Sequence, residues 1–188
     1  MRCFVAVNVS DPVRRLLGPV LAELRKSDAD VRWEPEENLH VTLKFLGEIG
    51  AGPAEKLRGL LAVEASRRPG FPLEFTGLGS FPEGGEPRVL WVGCRGDAGK
   101  LCGLAAAIES AAEQVGVPRE ARSFSPHLTI GRVKSSRNLE PLRQALAGRK
   151  EVLLGSQEVG SFDLVESTLT PRGSVFRTAG TFALSTSG

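Results

Sequence analysis

The chain contains two histidines, and both stand in the same short frame: His40 opens "HVTLKFLG" and His127 opens "HLTIGRV". Each reads His–apolar–Thr–apolar. The separation from 40 to 127 is 87 residues, and the same shift carries Val5 onto Val92, Leu17 onto Leu104, Leu21 onto Ile108 and Phe75 onto Phe162. Self-similarity at one offset marks a repeated architecture. In 188 residues it predicts a single domain (1–188) of two lobes related by a pseudo-two-fold axis. The repeat halves run about 1–81 and 88–167, with a last strand at 174–184. Thr fills 8 of 188 positions, so chance would place Thr two residues after both histidines roughly once in five hundred trials. The pairing is therefore read as functional.

Local patterns predict the elements of each half. "RCFVAVNV" (2–9) is β-branched and continuously apolar, as in a strand buried on both faces. Ser10, Asp11 and Pro12 then start a helix over 11–26, with Val13, Leu17, Leu21 and Leu24 on one stripe. Short strands are expected at 31–33 and 40–46, a helix from Pro53, and a strand at 71–81. The second pass gives a strand at 88–94, a helix at about 99–116, the "HLTIGRV" strand, and a short helix capped by Asn138. Strands at "VLLG", "SFDLVESTL" and 174–184 complete it. Each lobe is expected to carry strand, helix, His-Thr strand, helix and strand. The turn-rich "FPEGGEP" (81–87) is the expected crossover between lobes.

In a strand, residues i and i+2 share a face. His40 and Thr42 therefore project together, as do His127 and Thr129, and facing lobes would enclose two imidazoles and two hydroxyls in one groove. Displacement at phosphorus needs a base for the incoming oxygen and an acid for the departing one, on opposite sides of the phosphorus. Histidine serves both roles because its pKa lies near working pH. Threonine hydroxyls can donate to the non-bridging oxygens.

Other chemistries find less support. Two histidines without a cysteine pair or repeated carboxylate supply too few ligands for zinc, so no metal and no cofactor are expected; Glu37 precedes His40 by three residues, but nothing comparable precedes His127. No GxSxG is present for a serine hydrolase. Alternation puts Lys44 on the His40 face and Phe45 in the core. Arg132 falls on the wrong face unless Gly131 bulges the strand; it reads equally as a phosphate or base contact and as a surface charge. Net charge is +2, which gives no general argument for nucleic acid, although 18 of the 24 basic residues are Arg, a good partner for phosphate. Cys3, Cys94 and Cys102 are odd in number and lack CxxC spacing, which favours reduced thiols. With no signal-like or membrane-length apolar run, a cytoplasmic monomer is expected.

The paired "HVTL" and "HLTI" resemble the signature of the two-histidine phosphoesterase superfamily. "FVAVNV", "VRWEPEENLHVTLKFLGE", "GLGSFP", "PRVLWVG" and "FSPHLTIGRV" narrow the likeness to the bacterial and archaeal RNA 2′,3′-cyclic phosphodiesterases, formerly called 2′-5′ RNA ligases. The resemblance implies a bilobal α+β fold of antiparallel sheet with outer helices, and both motifs in a central cleft. It implies metal-independent hydrolysis of RNA 2′,3′-cyclic phosphate ends to 2′-phosphomonoesters, with a weak reverse 2′-5′ ligase activity. By position, His40 would be the proton donor to the leaving 3′ oxygen and His127 the proton acceptor that activates water. Thr42 and Thr129 would hold phosphate oxygens. Phe176 stands where an aromatic, often tyrosine, is expected, so a ring hydroxyl contact is in doubt. Rival readings keep the cleft but change its use: ADP-ribose cyclic phosphate, an oligoadenylate or an RNA 3′ end as substrate, or a non-catalytic module binding RNA ends.

Overall fold

The computed structural model describes residues 1–171 and 173–186. In chain order, β1 (Arg2–Asn8) leads into α1 (Asp11–Arg25), β2 (Val31–Trp33) and β3 (His40–Glu48). These are followed by α2 (Ala51–Ser66) and β4 (Phe71–Phe81). The second pass runs β5 (Val89–Gly96), α3 (Ala98–Glu113), β6 (His127–Val133), α4 (Leu139–Ala147), β7 (Leu153–Val159), β8 (Ser161–Thr170) and β9 (Gly173–Ala183). Helix α1 forms because Val13, Leu17, Leu21 and Leu24 fall on one face, and all four are fully buried. Ser10 and Asn138 sit at the N-caps of α1 and α4 but make no side-chain cap bond; Asn138 Nδ2 donates instead to the Asp28 carbonyl at 3.1 Å.

The strands form two sheets, in the orders β3-β1-β8-β9 and β2-β6-β5-β4-β7, and every pairing between them is antiparallel. The fold is α+β, as expected. Leaving β2 aside, β6-β5-β4-β7 repeats the arrangement β3-β1-β8-β9. The repeat thus exists in space, but its lobes are not contiguous halves. Strand β4, from the first pass, lies in the second sheet, and β8, from the second pass, lies in the first. The reason is local: β4 and β5 are consecutive and pair as a hairpin, Phe81 opposite Val89. "FPEGGEP" is therefore a hairpin loop within one sheet rather than the crossover between lobes. Apart from the excursion of β2 into the second sheet, the chain changes sheets between α2 and β4 and again between β7 and β8.

Register refines the repeat as well. Val7 pairs with Val41, and Val92 pairs with Leu128, so the counterpart of Val92 is Val7, not Val5. One apolar cluster runs through both lobes, joining Val5, Val7 and Val41 to Val92, Leu128 and Ile130. Helix α1 packs over β7 and α3 over β3, and β3 touches β6 where the sheets meet. The two His-Thr strands are thereby brought side by side, on a common core.

Candidate active site

His40 and Thr42 are half-buried on β3, while Val41 and Leu43 behind them are buried. On β6, His127 and Thr129 are half-buried over buried Leu128 and Ile130. Alternation thus places the four residues as expected. It fails immediately afterwards, in the same way on both strands. Val5 pairs with Lys44 but Ala6 with Thr42, which leaves Leu43 as an extra residue; Leu90 pairs with Gly131 but Trp91 with Thr129, which leaves Ile130 extra. Each is a β-bulge, and each turns the following side chains over.

The bulge at Ile130 re-aims Arg132 to the same face as Thr129, the outcome that a bend near Gly131 allows. The bulge at Leu43 does the same on β3, against expectation. Lys44 turns inward and is 2% exposed, donating to Glu109 Oε1 at 2.8 Å and to the Pro118 carbonyl at 2.8 Å. Phe45 turns outward beside Phe4, with ring centroids 6.2 Å apart, and is 56% exposed. Phe45 and Arg132, each five residues past a histidine, are equivalent positions that carry a ring in one lobe and a cation in the other.

The histidines are held alike. His40 Nδ1 lies 2.6 Å from the Asn38 carbonyl, and His127 Nδ1 lies 2.7 Å from the Ser125 carbonyl. A carbonyl only accepts, so each Nδ1 carries the proton. In the neutral ring, Nε2 is then the free lone pair; in the charged ring, it is the available acid. Their surroundings differ. His40 stacks on Phe4 at 4.7 Å and meets the edge of Phe176 at 5.4 Å. His127 has an edge contact with Phe81 at 5.1 Å, and Phe81 leans on Trp91 at 5.4 Å. Burial among these rings pushes the His40 imidazole below its ordinary pKa. The bond to Asn38 opposes this, and the positive Arg132 lowers it further. Arg132, on the strand of His127, is thus close enough to act on the other histidine, while its Nε lies 3.9 Å from Glu34 Oε1.

The ring cage of Phe4, Phe81 and Phe176 is not evident from the motifs. Phe4 sits in a strand whose continuous apolar run hides which residues face the site. Phe176 is the C-terminal aromatic noted above, and it touches His40 through its ring alone. Beside His40 opens a cavity of about 180 Å³, lined in part by Asn8, Arg14, Glu37 and Asn38. Among the described residues, no three of His, Cys, Asp and Glu come together as metal ligands. All three cysteines are free, and burial pushes the Cys94 thiol up to about 12. No helix among the described residues is long and apolar enough to cross a membrane.

The family described as LigT like Phosphoesterase matches twice, over residues 7–91 and 93–176, one copy for each histidine motif. The chain is 37% identical over 177 residues to the RNA 2′,3′-cyclic phosphodiesterase of Archaeoglobus fulgidus, covering 94% of this chain and 97% of that protein. It is 38% identical over 162 residues to the Aeropyrum pernix protein of the same name, covering 84% and 91%. Among solved structures, TT0787 of Thermus thermophilus superposes with a TM-score of 0.84 at 27% identity over the full length of both chains. E. coli LigT complexed with 3′-AMP gives 0.76 at 26% identity, covering 97% of each chain. The duplicated match, the shared architecture and the paired His-Thr strands agree, and the chain belongs to the LigT-like phosphoesterase family.

Proposed function

We propose that this protein is a metal-independent RNA 2′,3′-cyclic phosphodiesterase that converts cyclic phosphate ends to 2′-phosphomonoesters, with weak 2′-5′ ligation as the reverse reaction. The observation that carries the reading is the matched Nδ1 bonding of His40 and His127, which leaves Nε2 of each ring for chemistry. His127 Nε2 takes the proton of a water as its oxygen bonds to phosphorus. The bond from phosphorus to O3′ breaks on the far side, and His40 Nε2–H protonates that oxygen. Thr42 and Thr129 donate to the non-bridging oxygens, and Arg132 offsets their charge. Phe45, exposed on the same face, offers a flat ring to the terminal nucleobase.

In the free protein, burial and Arg132 favour neutral His40. The negative phosphodiester reverses this on binding, so the acid acquires its proton in the complex. The family relationship and the relatives' names support RNA ends as substrate over the other cyclic or oligonucleotide substrates, and two intact motifs support catalysis over simple binding. Free cysteines suit a cytoplasmic setting, and one shared core behind both motifs suits a monomer. The test is product analysis on an RNA oligonucleotide with a 2′,3′-cyclic phosphate end. A 2′-phosphate product is expected; a 3′-phosphate, or no turnover, refutes the reading.

A further inference from the structure

We infer that the cavity beside His40 is a subsite for the nucleotide on the 5′ side of the cyclic phosphate end, with Arg14 holding the phosphodiester that joins the two. The inference rests on the phosphodiesterase reading and adds a second ligand group to it. The cavity spreads from His40 across β1 onto β8 and β9, where Phe4, Val165, Phe176 and Thr178 line it, whereas the exposed ring of Phe45 stands on β3, on the other side of Phe4. The reacting phosphate and terminal nucleoside engage the histidines, the threonines and Phe45, which leaves the cavity for another part of the substrate.

Arg14 shows which part. Its Nε is buried and has no hydrogen-bond partner among the described residues, while Nη1 donates to Asp11 Oδ1 at 3.1 Å, a carboxylate that is largely exposed. A guanidinium keeps its charge at every working pH, and its planar fork matches two phosphate oxygens. The enclosed Nε is out of a ligand's reach, but the side chain is 26% exposed where it lines the cavity, and there the guanidinium presents its charge to an anion. A nucleoside 2′,3′-cyclic phosphate has a single anionic group, at the reacting phosphorus. A second anion beyond His40 exists when the RNA continues on its 5′ side.

The remaining lining fits a sugar and base. Phe176 gives an apolar wall. Asn8 Nδ2 is held by Asp163 at 2.6 Å and Asn38 Nδ2 reaches the Ser174 carbonyl at 3.4 Å, so their amide oxygens remain as acceptors together with the Glu37 carboxylate. This rim mixes one cation with acceptors, as a nucleotide requires.

The experiment compares adenosine 2′,3′-cyclic phosphate with the adenosine dinucleotide carrying the same cyclic end, using the intact chain. The wild type is expected to favour the dinucleotide in kcat/KM by on the order of tenfold, chiefly through KM. Arg14→Gln is expected to remove that advantage and leave the mononucleotide rate unchanged; Arg14→Lys, which keeps charge without the fork, should retain part of it. Equal kcat/KM for the two substrates in the wild type, or an undiminished advantage in Arg14→Gln, overturns the subsite. Calorimetric titration with the two 2′-phosphate products reads the same ratio without turnover. Failure to hydrolyse either cyclic substrate would therefore sink the phosphodiesterase reading, while the binding ratio still decides the cavity.

Discussion

Lys44 Nζ donates to Glu109 Oε1 at 2.8 Å, which ties the strand carrying His40 to helix α3 from the other half of the repeat. The Lys44 side chain is 1% exposed, and its ammonium also donates to the Pro118 carbonyl on the segment leading to His127. Removing one partner of a buried pair leaves the other charge uncompensated. Lys44→Ala is expected to cost about 3–5 kcal/mol in urea unfolding. Lys44→Met, which keeps the stem, should cost less. Equal losses in the two variants would show that the pair alone, without the packing of the stem, holds this junction, and no loss in Lys44→Met would show the reverse.

Replacing either histidine should remove acid or base transfer while sparing the fold. His127→Ala and His40→Asn are each expected to lower kcat by roughly 10²–10⁴. The two act in one step, so the double variant should fall little further than the worse single one. Steady-state kinetics, with circular dichroism as the folding check, measures this. Fully additive losses would mean that the rings work independently.

His40 gives the protein a pH signature. An imidazole in the unfolded chain titrates near about 6.5, and folded His40 lies below that. The folded state holds fewer protons in this window. Its stability is complete above about pH 6.5 and falls as pH drops through that value toward the folded pKa of His40. Denaturation midpoints between pH 5 and 8 should show this slope in the wild type and not in His40→Asn. In catalysis the acid must be protonated, so kcat/KM should decline with rising pH at a lower value than kcat does, because bound phosphate raises the pKa in the complex.

Gly79 lies under the other histidine's support. A Cβ built there would stand 2.3 Å from the Trp91 indole, and Trp91 backs Phe81 against His127. Gly79→Ala is expected to displace the indole at about 1–3 kcal/mol of stability, shift tryptophan fluorescence, and depress turnover. Unchanged fluorescence with lost activity would place the effect elsewhere.

A chelator should leave the rate unaltered, since the proposed charge stabilisation comes from Thr42, Thr129 and Arg132. Loss of activity in EDTA, restored by a divalent ion, would require a different mechanism.

The positions of His40, Thr42, His127 and Thr129 were legible because strand alternation acts over two residues, a range in which sequence and geometry rarely part. Beyond Leu43 the pattern fails, since nothing in "TLKF" marks an extra residue. On the opposite strand Gly131 flags the equivalent bulge, and its own reason is packing: a Cβ there would lie 2.8 Å from Val31 Cγ1. One bulge is thus readable and its twin is not, which is why Arg132 carries two readings while strict alternation puts Lys44 and Phe45 on the wrong faces. The repeat fixed the elements of each half but carried no information on pairing partners. The hairpin between β4 and β5 was hidden in a loop whose composition says only that the chain turns.

The exchanged strands have a consequence for how the molecule holds together. A polypeptide ending near Phe81 would contain β1 and β3 with no β8 to cover their flank, and a β4 stripped of both neighbours. Neither fragment owns a finished fold. Cut at the 82–88 loop, the two pieces would have to find each other and interlock, like the partners of a domain-swapped dimer, before either could become native.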